Sequence, residues 1–419
     1  MDKKIINNNE KPVELYPLKN DVLHAIQVTD SLADIQDIWD ELAPTDNIFL
    51  QSPYLRALET HAPEGMQFNY VVFYEDIQPV GIAYTQTFHI SVQDSIKDED
   101  EVENPACILK AFMRAIKQWV MKRADFNVLV CGNLLLTGEH GYSFKEEIDE
   151  AKVSDLVQLG IDRLHKILEQ KEKIHIQLFK DYLPETETVQ KKLVESSYHK
   201  FSIQPSMHMH LPSEWATFDD YLNAMSSKYR VRARRAAKKG KDLVKKELSL
   251  EEIQANEERI YELYKSIADG AGFNAFLLHP SYFTALKQNL GENYKLVGYY
   301  IGDEMVAFCT SIMNGTELEA HFLGVDGEAN RKYQVYLNIL YDFVRMGIYH
   351  KKESINLART ALEIKSSVGA VPQNMYCYLK HRSSLSSKFI KLVFESFNPK
   401  EEWQQRRPFK DKNLALGAG

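Results

Sequence analysis

The sequence predicts an α/β chain built as two similar halves, and three observations carry that reading. Segments 71–81 and 297–307 match without a gap. Each reads as a short apolar strand, a polar turn and a strand opening with Val and a small residue. An amphipathic helix then leads to a further strand in both places, 106–122 to 127–131 in the first half and 334–347 to 354–358 in the second. Finally, 419 residues with 44% hydrophobic and 26% charged composition are ample for two globular domains, and exclude disordered, collagen-like and small disulfide-stapled chains.

Taken in order, residues 1–22 are polar with two prolines and read as a weakly ordered lead-in. Ile35, Ile38, Trp39 and Leu42 form one stripe of a helix over 31–42, and 51–61 is a second helix with Pro53 in its first turn. The acidic run 97–103 reads as a solvated loop. Helix 153–170 and the strand-like 174–179 complete a first domain over 23–200, and the join lies within 185–215. A second domain over 201–383 opens with a basic helix from 218 to 239, stopped by Gly240. The tail, 384–419, includes an amphipathic stretch at 384–397 that either docks on the core or lies on a membrane surface.

The net charge of −8 argues against a surface built throughout for phosphate backbones, so specific DNA binding is not expected and any anion site is local. Cys107, Cys131, Cys309 and Cys377 are scattered in apolar stretches without a C-x-x-C, and read as reduced core residues. With no apolar leader or spanning stretch, the expected location is the cytoplasm, with a peripheral position at the inner membrane face if the tail binds lipid. No His/Cys/Asp cluster has ligand spacing, so no metal is expected.

Between Lys228 and Lys246 stand ten Lys or Arg against one acid, Asp242, a local net charge of +9. Such a segment is either a solvated face or a phosphate site in which Arg230 and Arg234 share a helical face. The strand 316–325 alternates, projecting Glu317, Glu319 and His321 to one face and Leu318, Ala320 and Phe322 to the other. Glu319 or His321 is thereby a candidate general base for attack by an amine. This strand runs into Asp326–Tyr333 and a helix, a junction whose free N–H groups suit a pyrophosphate, with Gly327, Asn330, Arg331 and Lys332 as candidate contacts. Arg359 and Lys365 follow the strand 354–358 and are candidate clamps for an anionic substrate group; Tyr336 is a candidate substrate contact among several tyrosines of this half.

The second half, about 215–382, resembles the GNAT-fold acyltransferases of the Fem-like and peptidoglycan-biosynthesis/recognition type. The resemblance rests on Tyr221-Leu222, Ser227-Lys228-Tyr229-Arg230 with the basic helix, the hairpin 296–313, strand 316–325 with its loop and helix, and Arg359 with Lys365-x-x-x-Gly369. The first half resembles it more faintly, through Ser52-Pro53-Tyr54-Leu55, Pro79-Val80-Gly81 and Cys131-Gly132-Asn133. It implies two tandem GNAT-like domains, each a mixed sheet flanked by helices, the second catalytic. It also implies N-acyl transfer from a thioester co-substrate, acyl-CoA or an acyl carrier protein, to a primary amine of a cell-envelope or lipid precursor. Two alternatives stay open: an aminoacyl-tRNA-dependent aminoacyltransferase, and a non-catalytic binder of an anionic glycan, lipid or RNA. The chain departs from the pattern at the junction, where acetyl-CoA-binding GNAT proteins carry an Arg/Gln-x-x-Gly-x-Gly/Ala loop and this sequence has the single glycine Gly327.

Overall fold

The computed structural model describes residues 4–5, 13–17, 23–91, 125–270, 276–382 and 403–411. Helix 106–122, Cys107, the acidic run 97–103 and the stretch 384–397 lie outside them. In the first half the strands are β1 (Lys4–Ile5), β2 (Val13–Pro17), β3 (Leu23–Thr29), β4 (Gln67–Glu75), β5 (Gln78–Ser91), β6 (Asp125–Cys131), β7 (Tyr142–Phe144), β8 (Ile176–Tyr182) and β9 (His199–Ser202). Then come β10 (Ser206–His210), β11 (Val244–Glu247), β12 (Tyr294–Ile301), β13 (Glu304–Asn314), β14 (Glu317–Val325), β15 (Ser354–Asn356), β16 (Val371–Gln373) and β17 (Tyr376–His381). One sheet runs β1-β2-β3-β4-β5-β6-β8-β17-β9, with β7 paired to β5, and the other runs β11-β12-β13-β14-β15-β10-β16. Strands β1 and β2 thus extend the first sheet within the segment read as a lead-in.

From β3 and from β11 onward the two sheets have the same plan. Each has an antiparallel run followed by a parallel pair, β6 with β8 and β14 with β15. The gap-free hairpin match extends to backbone detail: Phe73 faces Gly81 with a register shift before Tyr74, and Tyr299 faces Ala307 with a register shift before Tyr300. The turn residues correspond too, since Asp76 (φ 54°) and Gly302 (φ 58°) both take the left-handed conformation. The helix-to-strand match needs correction. Helix Val335–Tyr349 and β15 correspond to helix Glu150–Leu168 and β8, while β6 corresponds to β14. Both β6 and β15 are short strands after a helical pattern, so periodicity alone could not tell them apart.

The halves also exchange a strand. β10 follows β9 in the chain but pairs in the second sheet, with β15 and β16. β17 follows β16 but pairs in the first sheet, with β8 and β9. The unit read as 201–383 therefore gives its last strand to the other sheet, and each sheet needs both halves of the chain.

Between the sheets lies a shared apolar core. Trp39, Tyr54 and Leu58 from helices Gln36–Leu42 and Ser52–Thr60 join Ile260, Tyr282 and Leu286 from helices Glu257–Gly270 and Tyr282–Leu290. The outer face of the first sheet is covered by Glu150–Leu168, which the Asp149 side chain caps and which buries Leu156, Val157, Ile161 and Leu164 at helical spacing. The outer face of the second is covered by Val335–Tyr349 and the basic segment. That segment is two helices, Phe218–Ala224 and Ser227–Lys239, rather than one. Met225 between them is extended and buried, where it bridges to Phe409, and this pairing interrupts the helix. Cys131, Cys309 and Cys377 are buried free thiols. Among the described residues no helix is long and apolar enough to cross a membrane.

Candidate functional site

The candidate bases sit on β14, whose alternation is broken by a β-bulge. Cys309 faces Leu323 and Ser311 faces Ala320, so His321 and Phe322 together oppose Thr310. The Thr310 hydroxyl fills the gap in the ladder, accepting from Phe322 N at 2.8 Å and donating to Phe322 O at 2.9 Å. The expected face assignment therefore fails for Phe322. Leu318 and Ala320 pack into the outer core of the second half, whereas Phe322 turns to the core shared by the halves, against Tyr264, Tyr282 and Phe283.

β14 pairs with β15 only through Glu317–Ser354, Leu318–Ile355 and Glu319–Asn356. β15 ends there and β14 continues to Val325, so the parallel strands part immediately beyond Glu319. At this point two carboxyls meet. Half-buried Glu317 lies 3.1 Å from His208 Nδ1 and accepts from Ser354 Oγ at 2.7 Å. Burial pushes its carboxyl up, but the His208 and Ser354 contacts outweigh this and hold it below the ordinary range. Glu319 is buried and hydrogen-bonded to Glu317, Asn314 and Asn356. Desolvation, then the neighbouring Glu317 charge, raise its carboxyl well above the ordinary range. The two shifts have opposite signs, so within the pair Glu317 favours its ionised form and Glu319 its protonated form. Behind it, Asn356 accepts from Ser206 Oγ at 2.8 Å and donates to Thr137 Oγ1 at 3.1 Å, joining β15, β10 and the loop after β6.

His321 is engaged at both ring nitrogens, Nε2 lying 3.0 Å from the Tyr282 hydroxyl and Nδ1 3.3 Å from Thr310 Oγ1. Burial lowers its imidazole to about 3, so it is neutral at physiological pH and a weak base. Tyr282 in turn is hydrogen-bonded to Tyr54, and Tyr54 accepts from Asn133 Nδ2 at 3.2 Å. A polar path thus runs from the bulge into the first half. The sequence reading did not single out Tyr54, Tyr282, His208 or Thr310 as site residues; a tyrosine among apolar neighbours gives no local sign that its hydroxyl is used.

Arg359 is not free to clamp a ligand. Its Nη1 and Nη2 grip Asp181, Nη1 reaching Oδ2 at 3.1 Å, and its Nε donates to Gln204 O at 2.8 Å. Asp181 also pairs with Lys180. Burial pushes the Asp181 carboxyl up, but the two cations overcome this and hold it far below the ordinary range. A Lys-Asp pair ending an otherwise apolar strand was the overlooked signal for this buried cluster. Lys365 is buried and donates to Ala358 O at 3.4 Å and to Arg359 O; burial lowers its amine to about 7. It braces a loop in which Ala358, Thr360 and Ala361 all have positive φ. Tyr336 packs on the outer core of the second half, where burial raises its phenol to about 12.

The junction after β14 is filled by the chain itself. Asp326 caps helix Gly327–Tyr333 by accepting from Ala329 N at 2.7 Å, and Asn330 Oδ1 accepts from Tyr336 N at 3.0 Å at the start of Val335–Tyr349. A carboxylate thus stands at the helix start expected to receive pyrophosphate, and the Asn330 side chain caps the next helix. Gly327, Arg331 and Lys332 are exposed. The basic helix packs against the same helix start, where Asn338 Nδ2 donates to Ala236 O at 3.1 Å. Arg234 is exposed and Arg230 half-buried, and neither lines the open cleft of about 520 Å³ bounded by Ser227, Lys228, Tyr229, Val231, Arg232, Arg235 and Arg406.

No family model matches the sequence, and no curated protein matches it. Solved structures do match. FemX is similar at a TM-score of 0.52 and 11% identity, over 87% of this chain and 100% of that one. A conserved protein of unknown function from Bacteroides thetaiotaomicron VPI-5482 gives a TM-score of 0.47 at 11% identity, over 84% and 98% of the two chains. A tandem GNAT protein from the clavulanic acid biosynthesis pathway gives 0.46 at 8% identity, over 85% and 99%. Two sheets of one plan, each with a central parallel pair, and a match spanning the whole of FemX show that this chain has the fold of FemX.

Proposed function

We propose that the protein is an acyltransferase that moves an acyl group from an activated donor to a primary amine. The observation that carries this is the Glu317–Glu319 pair, a carboxyl raised far above its ordinary range at the point where two parallel strands part and beside a bulged strand. Carboxyls tuned upward toward neutrality are suited to proton transfer at physiological pH. The amine nitrogen attacks the acyl carbon, the carbon–nitrogen bond forms, and the bond to the leaving group breaks. Glu319 gives its proton to the departing sulfur or oxygen and takes back the proton that the attacking nitrogen must lose, directly or through a water. Burial, and then the neighbouring Glu317 carboxylate that His208 and Ser354 hold down, raise the Glu319 carboxyl and so favour its carrying the proton it transfers. His321, neutral and hydrogen-bonded to Tyr282, orients the bulge rather than serving as the base.

The donor in this reading is a thioester, acyl-CoA or acyl carrier protein, with its phosphates held by basic-helix cations, and the acceptor is an amine of a cell-envelope or lipid precursor. The capped junction at Asp326 and Asn330 favours a second reading for the donor, because it offers no pyrophosphate cradle of the usual kind. An aminoacyl-tRNA ester, gripped through its own backbone phosphates, does not need one.

The test is release of thiol from a panel of acyl-CoA thioesters in the presence of primary amines, run beside aminoacyl-tRNA deacylation. Turnover of thioesters supports the first donor and turnover of aminoacyl-tRNA alone supports the second. Glu319→Gln should lower either rate by ~10²–10⁴ while the fold is retained. Absence of turnover with every donor leaves a non-catalytic binder.

A further inference from the structure

We propose that the cleft between the basic helix and the C-terminal segment is a binding site for a small, multiply phosphorylated ligand. Lys228, Arg232 and Arg235 fall at i, i+4 and i+7 on one face of helix Ser227–Lys239, and Arg406 stands on the facing wall. Among the described residues that line the cleft none is a carboxylate, although Glu363 pairs with Arg406 at its edge. Lys228, Arg232 and Arg235 make no ion pair among the described residues, in a chain whose net charge is −8.

Arg406 is positioned rather than free-standing. Its Nε donates to Glu363 Oε1 at 3.1 Å, its Nη2 donates to the same oxygen, and its backbone N donates to Ser366 Oγ at 2.9 Å, so the guanidinium is held at the cleft with one carboxylate, Glu363, set against four cations. Like charges crowded on one face raise the free energy of the empty state, and a multivalent anion relieves that repulsion. Guanidinium groups suit phosphate because their planar fork makes paired, charge-assisted hydrogen bonds. Ser227 and Tyr229 line the cleft at the positive end of the helix dipole.

Size selects the class of ligand. A volume of about 520 Å³ is that of a small-molecule site. Cations on two walls of a cleft this size suit a compact anion, whereas a membrane or a nucleic-acid duplex needs a broad, one-sided surface. Free polyphosphate and the phosphate chain of a nucleotide present the same chemistry to these residues. The proposal overlaps the acyl-transfer reading, which gives the donor's phosphates to the same basic helix, but a ligand here is read by binding alone, so either can fail without the other.

Calorimetric titration of the full chain with inorganic tripolyphosphate, and separately with a nucleoside triphosphate, tests it. One saturable site per chain is expected, weakening as salt rises. Tighter binding of the nucleotide identifies a base or sugar contact, and equal binding identifies the phosphates alone as the recognised group. Arg232→Glu with Arg235→Glu should weaken binding by at least roughly tenfold. Lys239→Glu with Lys241→Glu, an equal charge change outside the cleft, should change it by less than about threefold. Circular dichroism establishes that both double variants are folded. The proposal is overturned if no saturable binding occurs, if the two double variants weaken it equally, or if only long RNA or anionic vesicles bind.

Discussion

Arg359 of the second half closes both terminal nitrogens on the Asp181 carboxylate of the first, with Nη1 at 3.1 Å from Oδ2. Asp181 is fully buried and Arg359 nearly so, and Lys180 completes the cluster. This contact ties the end of β8 to the loop after β15, so the strained 358–361 turn depends on a residue from the other sheet.

Asp181→Asn should therefore be strongly destabilising. It leaves two buried cations without their carboxylate, and removing one member of a buried ion pair costs about 3–5 kcal/mol. Denaturant unfolding followed by tryptophan fluorescence measures it. A loss below about 1 kcal/mol, as for an exposed pair, would contradict the buried-cluster account.

Lys365 predicts a pH dependence. Its amine is lowered to about 7 in the fold, against an ordinary value of 10.5, so between these values the unfolded chain binds a proton that the folded chain does not. Its contribution to stability therefore rises with pH across that window, by about 2 kcal/mol between pH 7 and pH 9. Lys365→Met should remove this part of the slope. Unfolding midpoints of both proteins at the two pH values check it, the slope rather than the absolute stability being the readout.

Glu319 predicts the opposite sign. Its carboxyl is raised in the fold, so its contribution is fully present below the unfolded value near 4.5 and is lost as pH rises through the folded value. Glu319→Gln imitates the protonated state and does not titrate. The variant should gain melting temperature relative to the parent as pH rises from 5 to 8, while losing activity. A constant difference across that range would show that the parent carboxyl is ionised throughout.

Strand exchange predicts that the halves do not fold separately. A chain cut between β9 and β10 leaves the first sheet without β17 and the second half with that strand unpaired. Expressed singly, each piece should aggregate or remain expanded, since unpaired strand edges and an open shared core are exposed. Co-expressed, the pieces should elute together at the size of the intact chain. A monodisperse, cooperatively unfolding single piece would refute the dependence.

Much of this protein is determined by short-range pattern and could be read from the sequence. The hairpins at 71–81 and 297–307 correspond down to the register shift and the left-handed turn residue, because alternation and turn chemistry act over a few neighbours. The placement of Glu317 and Glu319 together on β14 likewise follows from the two-residue period of a strand. Tertiary structure decided the rest. A strand carries the same hydrogen-bonding groups whichever sheet it joins, so only packing of the whole chain sends β10 and β17 to opposite partners. The Thr310 bulge redirects Phe322 because the shared core has room for it, and Asp326 and Asn330 close the junction because their side chains reach free N–H groups there. Arg359 became a brace rather than a clamp because its partner, Asp181, is 178 residues away in the chain. Charge and periodicity are local properties; which charge meets which depends on the long-range contacts that bury them.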